Sequence, residues 1–244
     1  NRSNLLLKKL LKKKKTTAIY KNSQRLIVPF RYDRNFFRLL YFKTVDKILT
    51  KLLDKNYVII DHSVLNRRVL KHKFLDTLHD KPKWHTDSRY LGGKRLDKGF
   101  SYIALLMLDD FKKNNSTLYV PGSHLLRNKP KRNGNYKYKI ITGKKGSMLI
   151  FDSGLWHKGG SGTNEDRWSI CNYYGPWWMK PYYRFTDMLG LEKMKKLDYE
   201  VRKLLHYYST PPKEDRKGKN TYERTRTLIT NRRRYERTRV DLYK

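Results

Sequence analysis

The sequence has a single cysteine, Cys171, so an internal disulfide cannot form. It also lacks any apolar run of about 18 residues or more, which excludes a membrane-spanning helix. The leucine- and lysine-rich start of the chain is too short and too interrupted to resemble a secretory signal. Because disulfides are rare in the reducing cytosol, we expect a cytoplasmic protein whose cysteine is buried and inert.

Acidic residues are scarce: 22 Asp and Glu stand against 57 Lys and Arg, for a formal net charge of +35. A charge of this size attracts polyanions at low salt. The basic residues form no recognisable nucleic-acid motif and are spread over residues 8–15, 129–132, 193–196 and 232–234. We therefore expect a solvated basic surface with nonspecific polyanion binding, and the alternative is a dedicated nucleic-acid or anionic-membrane partner.

The length of 244 residues suits one domain with a core of its own. We expect that domain over residues 17–210, between basic tails at 1–16 and 211–244. The first tail is either a short amphipathic helix or frayed, and the second is too polar to build a core. Because Asn1 is not a methionine, the chain is also compatible with a fragment. The sequence leaves the oligomeric state open.

The spacing of apolar residues predicts the secondary structure. Helical spacing predicts amphipathic helices over residues 36–54 and 184–206. Strands are predicted over residues 56–61, 63–69, 101–109, 147–152 and 168–174, with an edge strand or a covering loop over 136–142. Short strands separated by turn residues, with helices at either end, are typical of an all-β barrel or sandwich.

One short motif, Trp84-His85-Thr86-Asp87, carries metal-binding chemistry. Residues two apart on a strand point to the same face, so His85 and Asp87 would project together. A second histidine from a neighbouring strand would complete the facial triad that binds non-haem Fe(II) and leaves coordination positions open. His157, at the end of the strand predicted over residues 147–152, is our candidate.

The order of motifs around this pair is similar to that of a known family. Downstream of His85-x-Asp87 come Pro121-Gly122-Ser123-His124, then Trp156-His157, then Arg167-Trp168-Ser169. This order resembles the phytanoyl-CoA dioxygenase family of Fe(II)/2-oxoglutarate oxygenases, from about Tyr57 to about Tyr208. The loop between His157 and Arg167 is about one residue shorter than the family form.

The resemblance implies roles for individual residues. His85, Asp87 and His157 would bind the iron, and Arg167 would pair with the far carboxylate of 2-oxoglutarate. An arginine suits this task because its planar fork of donors contacts a carboxylate in a bidentate manner. Ser169, two residues on along the same strand face, would add a hydrogen bond. Asn66 and Arg68 are further candidates for the cosubstrate side.

The resemblance also implies fold and activity. The expected fold is mainly β with flanking helices, a double-stranded β-helix of the cupin-like jelly-roll type. The expected enzyme is a dioxygenase that hydroxylates a small molecule, such as a lipid, sugar, amino acid or natural product, and releases succinate and CO2. Fe(II), 2-oxoglutarate and O2 are the expected cofactors, and the resemblance also allows ascorbate. Trp84, Trp156 and Tyr90 would supply apolar walls that limit water access.

Two other functions stay open. The first is a noncatalytic polyanion-binding protein on the same barrel, which the complete ligand set disfavours. The second is an oxygenase acting on a nucleic acid, which the Pro-Gly-Ser-His segment disfavours. Within that segment we expect His124 to have a structural role, because it follows a turn and no second ligand lies near it in sequence.

Overall fold

The computed structural model describes residues 17–20, 23–67, 83–88, 90–91, 94–95, 99–160, 163 and 165–209. The two predicted tails lie outside these residues, and so does Arg68. Within the described part of the chain, no helix combines the length and the apolar character that crossing a membrane requires.

Antiparallel sheets dominate the described residues. The larger sheet has six strands in the order β1-β2-β3-β11-β6-β9: Thr17–Tyr20 (β1), Ser23–Ile27 (β2), Val58–Asn66 (β3), Tyr102–Met107 (β6), Met148–Asp152 (β9) and Trp168–Gly175 (β11). A three-stranded sheet has the order β10-β7-β8: Thr117–Tyr119 (β7), Lys139–Ile140 (β8) and His157–Gly159 (β10). Tyr90–Leu91 (β4) and Lys94–Arg95 (β5) form a small hairpin.

The two faces of the larger sheet belong to different clusters. On one face, Trp168, Ile170 and Tyr174 of β11 pack into the core that the helices cover. On the other face, Tyr173 packs with Leu105 of β6 and with Ile141, which follows β8 of the smaller sheet. The alternation of side chains along β11 therefore places every second residue in the space between the two sheets.

The helix predicted over residues 36–54 is divided in two. A 3-10 helix spans Arg34–Leu39, and the α-helix α1 spans Lys43–Leu53. The carbonyls of Leu39 and Leu40 accept hydrogen bonds from Asn172 Nδ2 (2.7 Å) and Tyr174 Oη (2.8 Å), so strand β11 takes acceptors that a continuous helix would use. The helical spacing was correct for the buried residues Val45 and Leu49.

The helix predicted over residues 184–206 is three short helices: Phe185–Leu189 (α2), Leu191–Lys195 (α3) and Tyr199–Leu204 (α4). Gly190 interrupts the first two with a φ of 76°, a left-handed conformation that glycine adopts without steric cost. The predicted apolar stripe still supplies core residues, because Met194, Val201 and Leu204 are buried. The two strands predicted over residues 56–69 are a single strand, β3, while the 136–142 alternation contributes only β8.

Candidate metal and cosubstrate site

The structure brings His85, Asp87 and His157 together. Each offers one ligand atom, and these atoms lie within 4.8 Å of one another. His157 Nε2 is 3.4 Å from Asp87 Oδ2, and His85 Nε2 is 3.9 Å from Asp87 Oδ1. The side chains of His85 and Asp87 are 49% and 35% exposed, whereas that of His157 is 10% exposed, so the cluster has one open side.

Backbone pairing sets the positions of the two histidines. His85 forms an isolated antiparallel bridge with His157 rather than part of a longer strand, and the two N–O distances are both 3.0 Å. Each Nδ1 faces a carbonyl two residues upstream: His85 that of Lys83 at 2.9 Å, and His157 that of Leu155 at 2.8 Å. Because a carbonyl only accepts, each Nδ1 carries the proton, and each Nε2 is the nitrogen that faces the Asp87 carboxylate and can bind a metal.

Hydrogen bonds also fix the backbone of Asp87. Its N–H donates to Ser153 O at 2.8 Å, and its carbonyl accepts from Tyr173 Oη at 3.1 Å. Ser101 Oγ lies 3.1 Å from Tyr173 Oη and 2.6 Å from Ser153 Oγ, so it joins both partners of Asp87. The carboxylate is therefore carried by a segment that is anchored to both β11 and the end of β9.

The electrostatics of the cluster favour a bound cation. Desolvation by the surrounding protein would raise the pKa of Asp87, but His157 and His85 lower that pKa to about 2. Desolvation lowers the pKa of His85, and the neighbouring His157 lowers it further. Asp87 is thus ionised across the physiological range, and a neutral His85 offers a lone pair.

Arg167 faces the space between the two sheets, here called the chamber, and part of its guanidinium is unsatisfied. The residue is 3% exposed, and its Nε and Nη1 have no hydrogen-bond partner among the described residues. Its guanidinium carbon sits 4.0 Å from the centroid of the Phe111 ring. Burial and the nearby charge of Arg67 lower the pKa of Arg167 to about 9, so an anionic ligand would be stabilised here.

Ser169 and Asn66, which were also predicted for the cosubstrate side, differ in their hydrogen bonding. Ser169 is fully buried, and its Oγ has no hydrogen-bond partner among the described residues, which leaves a donor available to a ligand. Asn66 acts on the backbone instead: its Oδ1 accepts from Arg167 N at 3.0 Å, and its Nδ2 donates to Asp166 Oδ1 at 3.0 Å. Asn66 therefore holds the segment that presents Arg167.

Sequence reasoning missed Arg67, because it selected the two neighbouring positions. Arg67 N donates to Arg167 O at 3.0 Å, so the two arginines are adjacent where β3 and β11 meet. A Cβ at Gly159 would collide with the Arg67 guanidinium, which therefore crosses the backbone two residues after His157. The alternation of side chains along β3 could have identified Arg67, because it places Arg67 on the same face of the strand as Leu65.

Trp84 and Trp156 directly precede the two histidines in sequence, and their role as apolar walls of the site stays a prediction. Trp84 and Trp156 are both largely buried, and the ring of Tyr136 contacts each of them, with centroids 5.6 and 5.1 Å apart. Thr86 Oγ1 donates to Tyr90 Oη at 3.0 Å. His124 lies in a 3-10 helix, Ser123–Leu125, and is not part of the metal-ligand cluster.

Antiparallel sheets enclosing a His-Asp-His cluster define the class of cupin-like jelly-roll proteins with a two-histidine, one-carboxylate site. A model of the phytanoyl-CoA dioxygenase (PhyH) family matches residues 6–168, more than half of the chain, and the chain belongs to this family. The matched region begins at residue 6, well upstream of Tyr57, the residue from which the sequence motifs resemble the family. The family and the fold predicted from the sequence are both confirmed.

Solved structures share the fold at low identity. HygX from Streptomyces hygroscopicus, with nickel, 2-oxoglutarate and hygromycin B bound, aligns with a TM-score of 0.54 at 16% identity over 75% of this chain and 84% of its own. AviO1 from Streptomyces viridochromogenes aligns at 0.55 and 16%, over 73% and 83%. The epimerase SnoN, in complex with Fe3+, alpha ketoglutarate and nogalamycin RO, aligns at 0.52 and 15%, over 78% and 80%.

The curated proteins that match this chain are distant in sequence, and their names give no activity. Uncharacterised proteins of Mycobacterium tuberculosis and Mycobacterium bovis are each 26% identical over 188 residues, which is 73% of this chain. The chain spans about 65% of the length of these relatives.

Proposed function

We propose that this protein is an Fe(II)- and 2-oxoglutarate-dependent oxygenase that hydroxylates a small molecule. The observation that carries the proposal is the His85, Asp87 and His157 cluster, whose two imidazole nitrogens and one carboxylate oxygen are the donor set of non-haem iron oxygenases. Membership of the phytanoyl-CoA dioxygenase family supports the same activity. Structures of similar fold that contain a metal and 2-oxoglutarate add to this support.

The donor set fits iron, and the buried cationic chamber fits the cosubstrate. His85 and His157 would bind through Nε2, because each Nδ1 is engaged with a backbone carbonyl. Arg167 would bind the far carboxylate of 2-oxoglutarate through donors that are otherwise unsatisfied, and Ser169 would donate to the same carboxylate. Arg67, beside Arg167, would add positive charge. When bound, iron and 2-oxoglutarate supply the means to activate O2, with succinate and CO2 as coproducts.

The role of Asp87 bears on the reaction type. Its carboxylate occupies a position in the donor set, so three coordination positions stay open for 2-oxoglutarate and oxygen. A halide would need a further position, and incorporation of chloride is therefore not expected. Hydroxylation is the reaction we favour. The similarity to SnoN makes epimerisation the second candidate, since that protein is an epimerase with the same kind of fold.

A substrate screen tests the proposal. Purified protein with Fe(II), 2-oxoglutarate, ascorbate and labelled O2 should release succinate in response to a small molecule. A product that gains one oxygen atom from the labelled O2 supports hydroxylation, and a product of unchanged mass with inverted stereochemistry supports epimerisation. A chlorinated product formed in chloride buffer would contradict the role given to Asp87.

A further inference from the structure

An ion pair between a half-buried arginine and a buried aspartate lies apart from the residues assigned to iron and cosubstrate. Arg25 of β2 donates through Nη2 to Asp61 Oδ2 of β3. Asp61 is 2% exposed, although it ends a run of apolar residues, Val58 to Ile60, in a strand that is buried almost throughout. Charged residues are rarely buried this deeply without a specific purpose.

This pair is incompletely satisfied. Among the described residues, the second carboxylate oxygen of Asp61, Oδ1, has no hydrogen-bond partner. The same holds for Arg25 Nε and for the hydroxyl of Ser63, which is fully buried on the same strand. Leaving a buried polar atom unpaired destabilises the folded state, and the penalty is larger for a charged group. A purely structural ion pair gives no reason for three such atoms in one place.

Strand register places these residues in the chamber of the metal cluster. Asp61 is paired with Tyr173 of β11, and the hydroxyl of Tyr173 contacts the backbone of Asp87. Ser63 is paired with Cys171 in the same way, two residues further along β3.

The pair lies away from the cosubstrate end of the chamber. Arg167 precedes β11, while Tyr173 lies near the far end of that strand. At a rise of about 3.3 Å per residue, six residues separate these positions by ~20 Å. Asp61 pairs with Tyr173, whose hydroxyl contacts Asp87, so Asp61 lies towards the Asp87 end of the strand and away from Arg167.

The chemistry of the pair selects its ligand. Arg25 and Asp61 neutralise each other, so no ligand of opposite charge is required. The formal net charge of +35 opposes the approach of a cation. An unpaired carboxylate oxygen accepts a hydrogen bond, and a serine hydroxyl can donate or accept one. A neutral hydroxyl group is the partner that satisfies both atoms.

We infer that Arg25, Asp61 and Ser63 form the substrate-recognition subsite, and that the substrate is a neutral, hydroxyl-rich, sugar-like molecule. A substrate hydroxyl donates to Asp61 Oδ1 and exchanges a hydrogen bond with Ser63 Oγ, while Arg25 fixes the carboxylate. This inference rests on the proposed oxygenase function, because it assigns a substrate to that site.

The test uses methyl glycosides as probes, compared with the same glycosides after their hydroxyls are O-methylated. The full chain is loaded anaerobically with Fe(II) and 2-oxoglutarate, and binding is followed by changes in the visible band of the chelate. Calorimetry on the metal-free protein gives a second measure. The expected result is that at least one free glycoside binds ~10-fold or more tightly than its methylated form, the equivalent of about 1.4 kcal/mol.

Asp61→Asn and Ser63→Ala identify the residues responsible. In Asp61→Asn the amide oxygen pairs with Arg25, so an NH2 donor replaces the acceptor Oδ1, and the preference for free hydroxyls should be lost. Ser63→Ala leaves the ion pair intact and should weaken the preference, which keeps the test valid if Asp61→Asn does not fold. Asp110→Asn is the matched control, because Asp110 contacts Lys144 on the surface, away from the chamber.

Three results would overturn the subsite: equal affinity for free and methylated probes, an unchanged preference in both variants, or no binding of any free glycoside at its highest soluble concentration. Failure of the wild-type protein to form the Fe(II) and 2-oxoglutarate chelate would instead overturn the oxygenase function. A hydroxyl preference measured on the metal-free protein would still support the subsite in that case.

Discussion

His85 and His157 are joined by two backbone hydrogen bonds of 3.0 Å, one in each direction. This bridge connects the segment that carries Asp87 to strand β10 of the smaller sheet. The relative position of the two imidazoles is therefore set by the backbone before any metal binds. Preorganisation of this kind reduces the ordering cost of binding a metal ion.

The first prediction concerns the three ligands. His85→Ala, Asp87→Ala and His157→Ala should each abolish substrate-dependent succinate release while the fold persists, because each removes one of three metal donors. Metal content after dialysis reports the loss of iron, and circular dichroism reports whether the fold persists. His124→Ala is the control and should keep a full complement of iron, so loss of iron in that variant would show that the wrong distal histidine was chosen.

The second prediction concerns Arg167. Arg167→Ala should raise the 2-oxoglutarate requirement far more than it weakens iron binding, since removing one partner of a buried charge pair costs on the order of 3–5 kcal/mol. Titrating the chelate band with 2-oxoglutarate at saturating Fe(II) measures this cost. Arg67→Ala provides the comparison: if only that variant changed the 2-oxoglutarate dependence, Arg67 would be the anchor in place of Arg167.

The third prediction concerns pH and the buried His62. Burial lowers the pKa of His62 to about 4, from an ordinary value of 6.5. The unfolded chain therefore binds a proton at a higher pH than the folded chain does, and stability should fall as pH drops from about 6.5 towards 4. Urea unfolding at pH 7 and pH 5 measures the fall.

His62→Gln is the matched variant for this prediction, because Gln can still donate a hydrogen bond to Asn172 Oδ1, which lies 2.6 Å from His62 Nδ1. The variant should lose less stability than the wild type over the same pH range. An equal loss in both proteins would mean that His62 does not contribute. His206, whose pKa burial also lowers to about 4, supplies a similar slope that both proteins retain.

The fourth prediction concerns the basic surface. Binding to a nonspecific polyanion such as heparin should be weak, fall steeply between low and physiological salt, and show no sequence preference when nucleic acids are used. Deleting residues 1–16 and 211–244 should reduce this binding without affecting turnover. Tight, sequence-selective binding at physiological salt would instead indicate a dedicated nucleic-acid partner.

The domain limits of 17–210 and a cytoplasmic location also stay predictions.

The metal cluster was accessible from sequence because its signals are local or shared by a family. The spacing of His85 and Asp87 implies a common face, and the position of His157 follows from the order of motifs. Arg67 and the Arg25–Asp61 pair were missed because their roles depend on which strands are neighbours. The charge of Asp61 inside a buried apolar run is the local signal that the proposed subsite offers in the sequence.

The helix boundaries were wrong for a related reason. Periodicity placed Val45 and Leu49 correctly, but the break after Leu39 depends on hydrogen bonds from Asn172 and Tyr174, far away in sequence. Gly190 was a local signal for the break between α2 and α3, and the apolar stripe on either side of it outweighed that signal in the prediction.

An anaerobic titration tests the central claim most directly. Purified protein is titrated with Fe(II) in the presence of 2-oxoglutarate, and the weak visible charge-transfer band of the chelate is recorded. The wild-type protein should develop the band to a stoichiometry of one iron per chain, and Asp87→Ala and Arg167→Ala should weaken it at the same concentrations. A wild-type protein that binds no iron, or that binds iron without any band when 2-oxoglutarate is added, would contradict the assignment.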